Sequence, residues 1–311
     1  MLKKIIFFFL TLFSVLGSSQ KNDTSLYQFG QAEKELMSIQ KKAFHSRSEK
    51  DRIEGNKEFI GIWNKIIIYP SILNYPFDSL KNDISVLSPK DKKFKLITWN
   101  LHKEDGTHAF FGYLLVNNTK RIKKGFMKHE TIESYDYFQL IDRSPTVKYP
   151  ETFVGSPQKW FGMLYVQLIE CDGYYTLIGW DGNDKLTQRK FVDVLSFRNN
   201  GDAVFGKDVF RIPRKNPRRL MFEFSQEVSM SLKYDEKRNQ IIYSHLSSKQ
   251  EGSLLDGQYQ YYGPDGSFDA LEVKKGKWII VEDIDIKSDI RPLNENKKPN
   301  PKKQTPVYKP K

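Results

Sequence analysis

Residues 94–117 read FKLITWNLHKEDGTHAFFGYLLVN, which is two apolar runs on either side of an Asp105-Gly106 pair. Runs that are rich in aromatic and aliphatic residues favour strands, and an Asp-Gly pair between them favours a tight turn. Two strands joined by a tight turn pair antiparallel. This stretch therefore predicts a β-hairpin.

The same alternation of β-rich runs and turn signals continues along the chain, with breakers such as Asp172-Gly173 and Asp181-Gly182. Tight connections require antiparallel pairing, because parallel strands need long crossovers. We expect a sandwich or a curved meander, with a propeller-like arrangement as the alternative. Besides the hairpin, the predicted strands are residues 160–171, 174–180, 191–197, 203–210, 219–225, 228–234, 240–246, 258–262, 268–274 and 277–283.

Upstream of these runs the apolar residues follow helical spacing. They recur at steps of three and four over residues 29–43, and a second such stripe contains Trp63. Ser48 is typical of a residue that caps the start of a helix, and Pro70 marks the end of the second stripe. The sequence therefore predicts a helical hairpin.

The predicted fold class is α+β, mainly β. A helical hairpin over residues 20–70 precedes an antiparallel β domain over residues 84–286. Residues 120–157 are less regular and contain three X-Pro breaks. We interpret them either as an excursion at the edge of a sheet or as the hinge between two β subdomains.

Residues 1–19 have the three parts of a secretory signal peptide: a basic start, an apolar run over residues 5–16, and the small residues Gly17 and Ser19. We expect cleavage near Ser19 and a periplasmic or secreted product. The mature sequence has no other apolar window of about 18 residues, so we expect no transmembrane helix. The single cysteine, Cys171, excludes an intramolecular disulfide and a cluster of thiolate zinc ligands.

The positive charge is concentrated at the C-terminus. Of the formal net charge of +12, residues 287–311 carry +6 together with five prolines, and residues 20–286 carry only +4. A body this mildly basic predicts no specific nucleic-acid partner. We expect the Lys/Pro-rich tail to be disordered, and either to solubilise the protein or to tether it to an anionic surface or an envelope polymer.

Two local patterns are candidate metal sites. His102 and His108 flank the Asp105-Gly106 turn, where a hairpin would bring them face to face. Asp181 and Asp184 lie in a second acidic turn, whose oxygens suit a hard cation. Ordinary polar turns are the alternative interpretation for both patterns.

Aromatic residues near the C-terminus form a candidate ligand platform. Tyr259 and Tyr261 would share one face of a strand, and Trp278 follows in the next hairpin. Stacked aromatic rings bind sugars when they are exposed, and packing in the core is the alternative. Nucleophile-elbow, phosphate-loop and dinucleotide-binding glycine motifs are missing, so no catalytic residue and no cofactor is predicted.

The sequence resembles a family of exported bacterial proteins with no assigned activity. The resemblance covers roughly residues 30–285, implies export, and supplies no catalytic residue. The segments that carry it include Ser88-Pro89-x-Asp91, Gly106-Thr107-His108, YTLIGWDGND at residues 175–184, His245-Leu246, Tyr262-Gly263-Pro264-Asp265 and Gly276-Lys277-Trp278.

We therefore expect an exported envelope or periplasmic protein that acts by binding. The alternative is a hydrolase or metal-dependent enzyme that acts on envelope polymers, with a site assembled from distant residues. Convergence of His108, Asp181 and His245 would favour the enzyme, and scattered positions would favour binding.

Overall fold

The computed structural model describes residues 26–123, 129–132, 135–213, 215–248, 255 and 257–286. The signal peptide predicted for residues 1–19 and the tail predicted for residues 287–311 lie outside this part. Within it, no helix is both long enough and apolar enough to cross a membrane.

The predicted helical hairpin is present. Helix α1 covers the described residues 26–45, and α2 covers Glu49–Ile66. Ser48 caps α2, since its side chain accepts a hydrogen bond from the Asp51 backbone N–H at 3.4 Å. The helices touch at Gly55, where a Cβ would lie 2.7 Å from the backbone nitrogen of Ala43.

Sixteen strands are described, and they form three main sheets and one isolated pair. The first sheet has the order β1-β2-β3-β6, and β4 pairs with β5. These strands are β1 (Ser85–Leu87), β2 (Phe94–His102), β3 (His108–Asn117), β4 (Lys120–Lys123), β5 (His129–Ile132) and β6 (Tyr135–Gln139).

The second and third sheets use the rest of the chain. The second has the order β10-β9-β8-β7 with β12 also on β9, and the third has the order β11-β16-β15-β14-β13. Their strands are β7 (Leu164–Cys171), β8 (Tyr174–Asp181), β9 (Thr187–Phe197), β10 (Ala203–Phe205), β11 (Phe210–Arg211), β12 (Leu220–Ser225), β13 (Leu232–Asp235), β14 (Gln240–Ser248), β15 (Tyr262–Lys274) and β16 (Lys277–Val281).

Side-chain alternation stacks these elements into four layers. On β2, Ile97 packs among residues of the helices, whereas its neighbour Leu96 packs against the second sheet. On β8, Leu177 faces the first sheet and Ile178 faces the third. The first and second sheets are therefore covered on both faces, which explains why β2 is buried almost throughout. The fold class predicted from the sequence is confirmed.

The strands predicted over residues 160–171 and 228–234 begin later, at Leu164 and Leu232. Two other strand predictions differ from the structure in kind. Residues 258–262 form a 3₁₀ turn at Tyr259–Tyr261, and β15 begins only at Tyr262. Residues 203–210 split into β10 and β11 at Gly206, whose φ of 87° turns the chain. Because of this turn, β11 joins the third sheet parallel to β16, the exception to antiparallel pairing among the named strands described.

Candidate functional site

A pocket of about 320 Å³ lies where the β2–β3 hairpin ends beside the β8–β9 turn. The segment 144–150 forms its third wall. The lining combines buried aromatic residues with charged and polar ones, among them His108, Phe110, Pro150, Phe161, Asp181 and Arg189. We call this cavity the Asp181 pocket.

Asp181 is the last residue of β8, and it is only 7% exposed. Its Oδ1 accepts a hydrogen bond from the backbone N–H of Asn183 at 2.8 Å, and within the described residues Oδ2 accepts none. Burial raises the pKa of this carboxyl to about 6, against the opposing effects of the Asn183 N–H and the Arg189 charge. The pocket therefore contains a carboxylate that the protein leaves partly unsatisfied.

The turn after Asp181 is held by its own side chains. Asp184 Oδ1 accepts hydrogen bonds from the backbone N–H groups of Leu186 and Thr187 at 2.7 and 2.9 Å. The Asn183 amide donates to Thr187 Oγ1 at 2.6 Å from a left-handed backbone with φ of 51°. Asp184 is thus a structural residue of the turn.

His108 begins β3, and its ring lies over the same turn. Its Nδ1 is 2.8 Å from the Asn100 side-chain nitrogen, which can only donate. Burial lowers the pKa of His108 to about 4, and the nearby His102 and Lys103 act in the same direction. The imidazole is therefore neutral at physiological pH and carries its hydrogen on Nε2.

Arg189 lies directly across the β8–β9 ladder from Asp181. Its Nε donates to Glu223 Oε2 at 2.8 Å, and Glu223 Oε1 also accepts from the Thr187 hydroxyl at 2.9 Å. Glu223 therefore orients the guanidinium that lines the pocket.

The third wall is tied to the core by two further groups. Asp142 Oδ1 accepts from the backbone N–H groups of Ser144 and Gly162, at 2.8 and 3.1 Å. Arg219 donates from Nη1 to the Pro150 carbonyl at 2.7 Å and from Nε to Asp193 at 3.0 Å. Segment 144–150 is therefore anchored at both ends.

The structure brings two of the predicted metal ligands, His108 and Asp181, into one pocket. The His102 ring lies 5.2 Å from that of His108. The Asp184 carboxylate instead accepts hydrogen bonds from backbone N–H groups of its own turn. No group of three or more His, Cys, Asp or Glu residues in the described part of the chain is placed to hold a metal ion. The four predicted ligands are therefore not assembled into a coordination set.

His245 does not join this pocket. It lies on β14 in the third sheet, where its Nδ1 is 2.8 Å from Asp269 Oδ2. The hydrogen bond to Asp269 raises the pKa of His245. Convergence of His108, Asp181 and His245 would favour an enzyme. The first two meet in the pocket, and His245 lies apart from them.

The predicted aromatic platform is not formed. Trp278 is 1% exposed, and its Nε1 donates to Thr176 Oγ1 at 2.9 Å in the core between the second and third sheets. Tyr261 is exposed, whereas the ring of Tyr259 packs against Tyr262 at 5.5 Å. The 3₁₀ turn removes the strand alternation that would have placed Tyr259 and Tyr261 on one face.

Sequence reasoning missed Asp142, Arg189 and Arg219, which bind partners between 20 and 69 positions away in the chain. No local pattern marks such residues. Comparison of the chain with protein-family models, curated proteins and solved structures gives no match. The resemblance to exported bacterial proteins stays a prediction.

Proposed function

We propose that the protein is an exported bacterial envelope protein that binds a saccharide unit of an envelope polymer in the Asp181 pocket. The observation that supports this most strongly is the free Oδ2 of Asp181. A carboxylate accepts up to about four hydrogen bonds. Oδ2 is not among the described buried side-chain atoms that lack a partner, so a ligand in the pocket can reach it, and a sugar hydroxyl group would donate to it.

The rest of the pocket suits the same ligand. Arg189 offers hydrogen-bond donors to sugar oxygens, while Pro145, Val147 and Pro150 supply apolar surface for the ring carbons. A volume of about 320 Å³ lies at the lower end of the range for ligand pockets. The site therefore fits one unit of a longer chain better than a large cofactor.

Binding of chitohexaose, an uncharged amino-sugar oligomer, tests this proposal by calorimetry. We expect Asp181→Asn to weaken the affinity tenfold or more. Asp269→Asn, which changes an equally buried carboxylate in the third sheet, should leave the affinity within twofold. Equal effects of the two substitutions would contradict the assignment, as would a wild-type protein that binds neither chitohexaose nor a charged oligosaccharide.

Export is inferred from the signal peptide predicted for residues 1–19. Mass spectrometry of the exported product should show a mature N-terminus at Gln20. A product that still contains Leu10 would contradict the inference.

The basic tail supports a second contact with an anionic surface. Its net charge of +6 within 25 residues should make retention on anionic vesicles fall steeply with salt, because exposed charges are screened within about 8 Å at physiological ionic strength. Equal retention with and without residues 287–311 would contradict a tether.

Acid–base hydrolysis is the second candidate, because Asp181 and His108 share the pocket. A carboxyl group whose pKa is raised to about 6 is available as a general acid at mildly acidic pH. Cleavage of chitohexaose, followed by mass spectrometry, should then slow above pH 6 and stop in Asp181→Asn. A wild-type protein that binds the oligomer without shortening it excludes this candidate for that substrate.

A further inference from the structure

We propose that the polymer is an acidic polysaccharide, whose acidic groups bind in a basic groove next to the Asp181 pocket. The inference rests on the proposed function and names its substrate class. The basic groove has a volume of about 550 Å³, and its lining includes Arg143, Val147, Lys148, Tyr149, Phe153 and Lys159.

The charges of the groove are all of one sign. Its lining contains Arg143, Lys148 and Lys159 and no acidic residue. Within the part of the chain that the structure describes, none of these three charged groups forms an ion pair or a hydrogen bond. Three uncompensated cations around one concave surface favour an anionic ligand.

The floor of the groove is apolar and aromatic. Tyr149 is 65% exposed, and the Lys148 ammonium lies 5.3 Å from the centre of its ring. Phe153 and Val147 extend this surface. Apolar rings beside cations suit a sugar that presents C–H groups on one face and carboxylates at its edge.

The groove and the pocket are adjacent. Val147 lines both of them, and segment 144–150 is the wall between them. Arg219 holds this wall through the Pro150 carbonyl, and its guanidinium lies 5.7 Å from the centre of the Phe153 ring. A chain that places one unit in the Asp181 pocket would therefore present its next units to the basic groove.

Binding of two oligosaccharides distinguishes the contribution of the basic groove from that of the Asp181 pocket. Hyaluronan hexasaccharide alternates carboxylate-bearing and neutral sugars, whereas chitohexaose has only neutral ones. We expect the full mature protein to bind the hyaluronan oligomer at least tenfold more tightly. The triple variant Arg143→Gln/Lys148→Gln/Lys159→Gln should lose this difference and keep its affinity for chitohexaose.

The matched control is Lys41→Gln/Lys57→Gln/Lys65→Gln, which removes the same charge from exposed positions on the two helices. The control should keep the preference for the acidic oligomer. Equal loss in both triple variants would overturn the proposal, because only the overall charge of the protein would then matter. Tyr149→Ala should also weaken hyaluronan binding, and an unchanged affinity would contradict the role of the aromatic floor.

The outcomes also separate this inference from the function on which it rests. If Asp181→Asn weakens both oligomers while the groove variant changes neither, the groove assignment fails and the pocket stands. If the wild type binds neither oligomer, both fail. Loss of binding to phosphatidylglycerol vesicles in the groove variant, without hyaluronan binding by the wild type, would assign the groove to a membrane surface instead.

Discussion

Gly182 lies directly against the imidazole of His108: a Cβ at position 182 would be only 2.1 Å from His108 Nε2. The glycine is required by this close approach, since Gly182 is not among the residues with a positive φ. The contact joins the β2–β3 hairpin to the β8–β9 turn, and so it fixes two walls of the Asp181 pocket against each other.

Gly182→Ala should therefore displace the His108 ring. We expect a loss of about 1–3 kcal/mol in the free energy of unfolding, the usual cost of overpacking, and weaker binding of chitohexaose. Urea unfolding measures the first effect. Gly61→Ala on α2 is the control, because no heavy atom lies within 4 Å of the added Cβ. Gly61→Ala should gain up to about 1 kcal/mol from helix propensity alone. A Gly182→Ala variant as stable as the wild type would show that the ring moves aside freely.

Asp181→Asn should stabilise the protein at neutral pH. The pKa of Asp181 is raised from 3.8 to about 6, so the folded state favours the protonated carboxyl, and the stability it contributes is lost as pH rises through 6. The asparagine has no charge to bury. Urea unfolding should show that the variant gains unfolding free energy over the wild type, and that this gain is about 2 kcal/mol larger at pH 7.5 than at pH 4.0. A gain that does not change with pH would contradict the raised pKa.

His108→Gln should change how the free energy of unfolding depends on pH below 6.5. Because the pKa of His108 is lowered from 6.5 to about 4, the unfolded chain binds the proton more tightly, and stability is lost as pH falls from 6.5 to 4. The nearby charges, His102 and Lys103 against Asp105, are retained in the variant. Between pH 6.5 and 4 we expect the variant to lose about 1–2 kcal/mol less unfolding free energy than the wild type. The difference is this small because solvent reaches part of the ring. An unchanged profile would show that His108 titrates normally.

Arg219→Met should destabilise the fold strongly. Arg219 and Asp193 form an ion pair at 3.0 Å with both side chains 0% exposed, and the Tyr165 hydroxyl donates to the other Asp193 oxygen at 2.7 Å. Removing one member leaves a buried charge, which costs about 3–5 kcal/mol. Arg218→Met breaks only an exposed contact to Asp208 at 3.7 Å and should cost less than about 1 kcal/mol. Chemical denaturation measures both variants, and similar losses of unfolding free energy in the two would contradict the role of the buried ion pair.

The sequence predicts those parts of the fold that depend on neighbouring residues. The β2–β3 hairpin follows from its apolar runs and the Asp105-Gly106 turn, and α2 begins where Ser48 predicts. The strand prediction for residues 258–262 was wrong, because alternating aromatic residues also fit a 3₁₀ turn.

The candidate site could be predicted only in part, because its residues meet through the packing of separate sheets. His108 and Asp181 could be chosen for their chemistry, but their proximity depends on how the hairpin meets the β8–β9 turn. The contact of Arg219 with Pro150 spans 69 positions, and no local spacing encodes it.

Occupation of the Asp181 pocket by a saccharide is tested most directly by carbon-13 NMR during a titration with chitohexaose. We expect saturating shifts of the Asp181 carboxyl carbon and the His108 ring, while the His245 ring, which is paired with Asp269 in the third sheet, stays unchanged. Binding that leaves the Asp181 and His108 signals in place, or that shifts only those of His245 and Asp269, would contradict it.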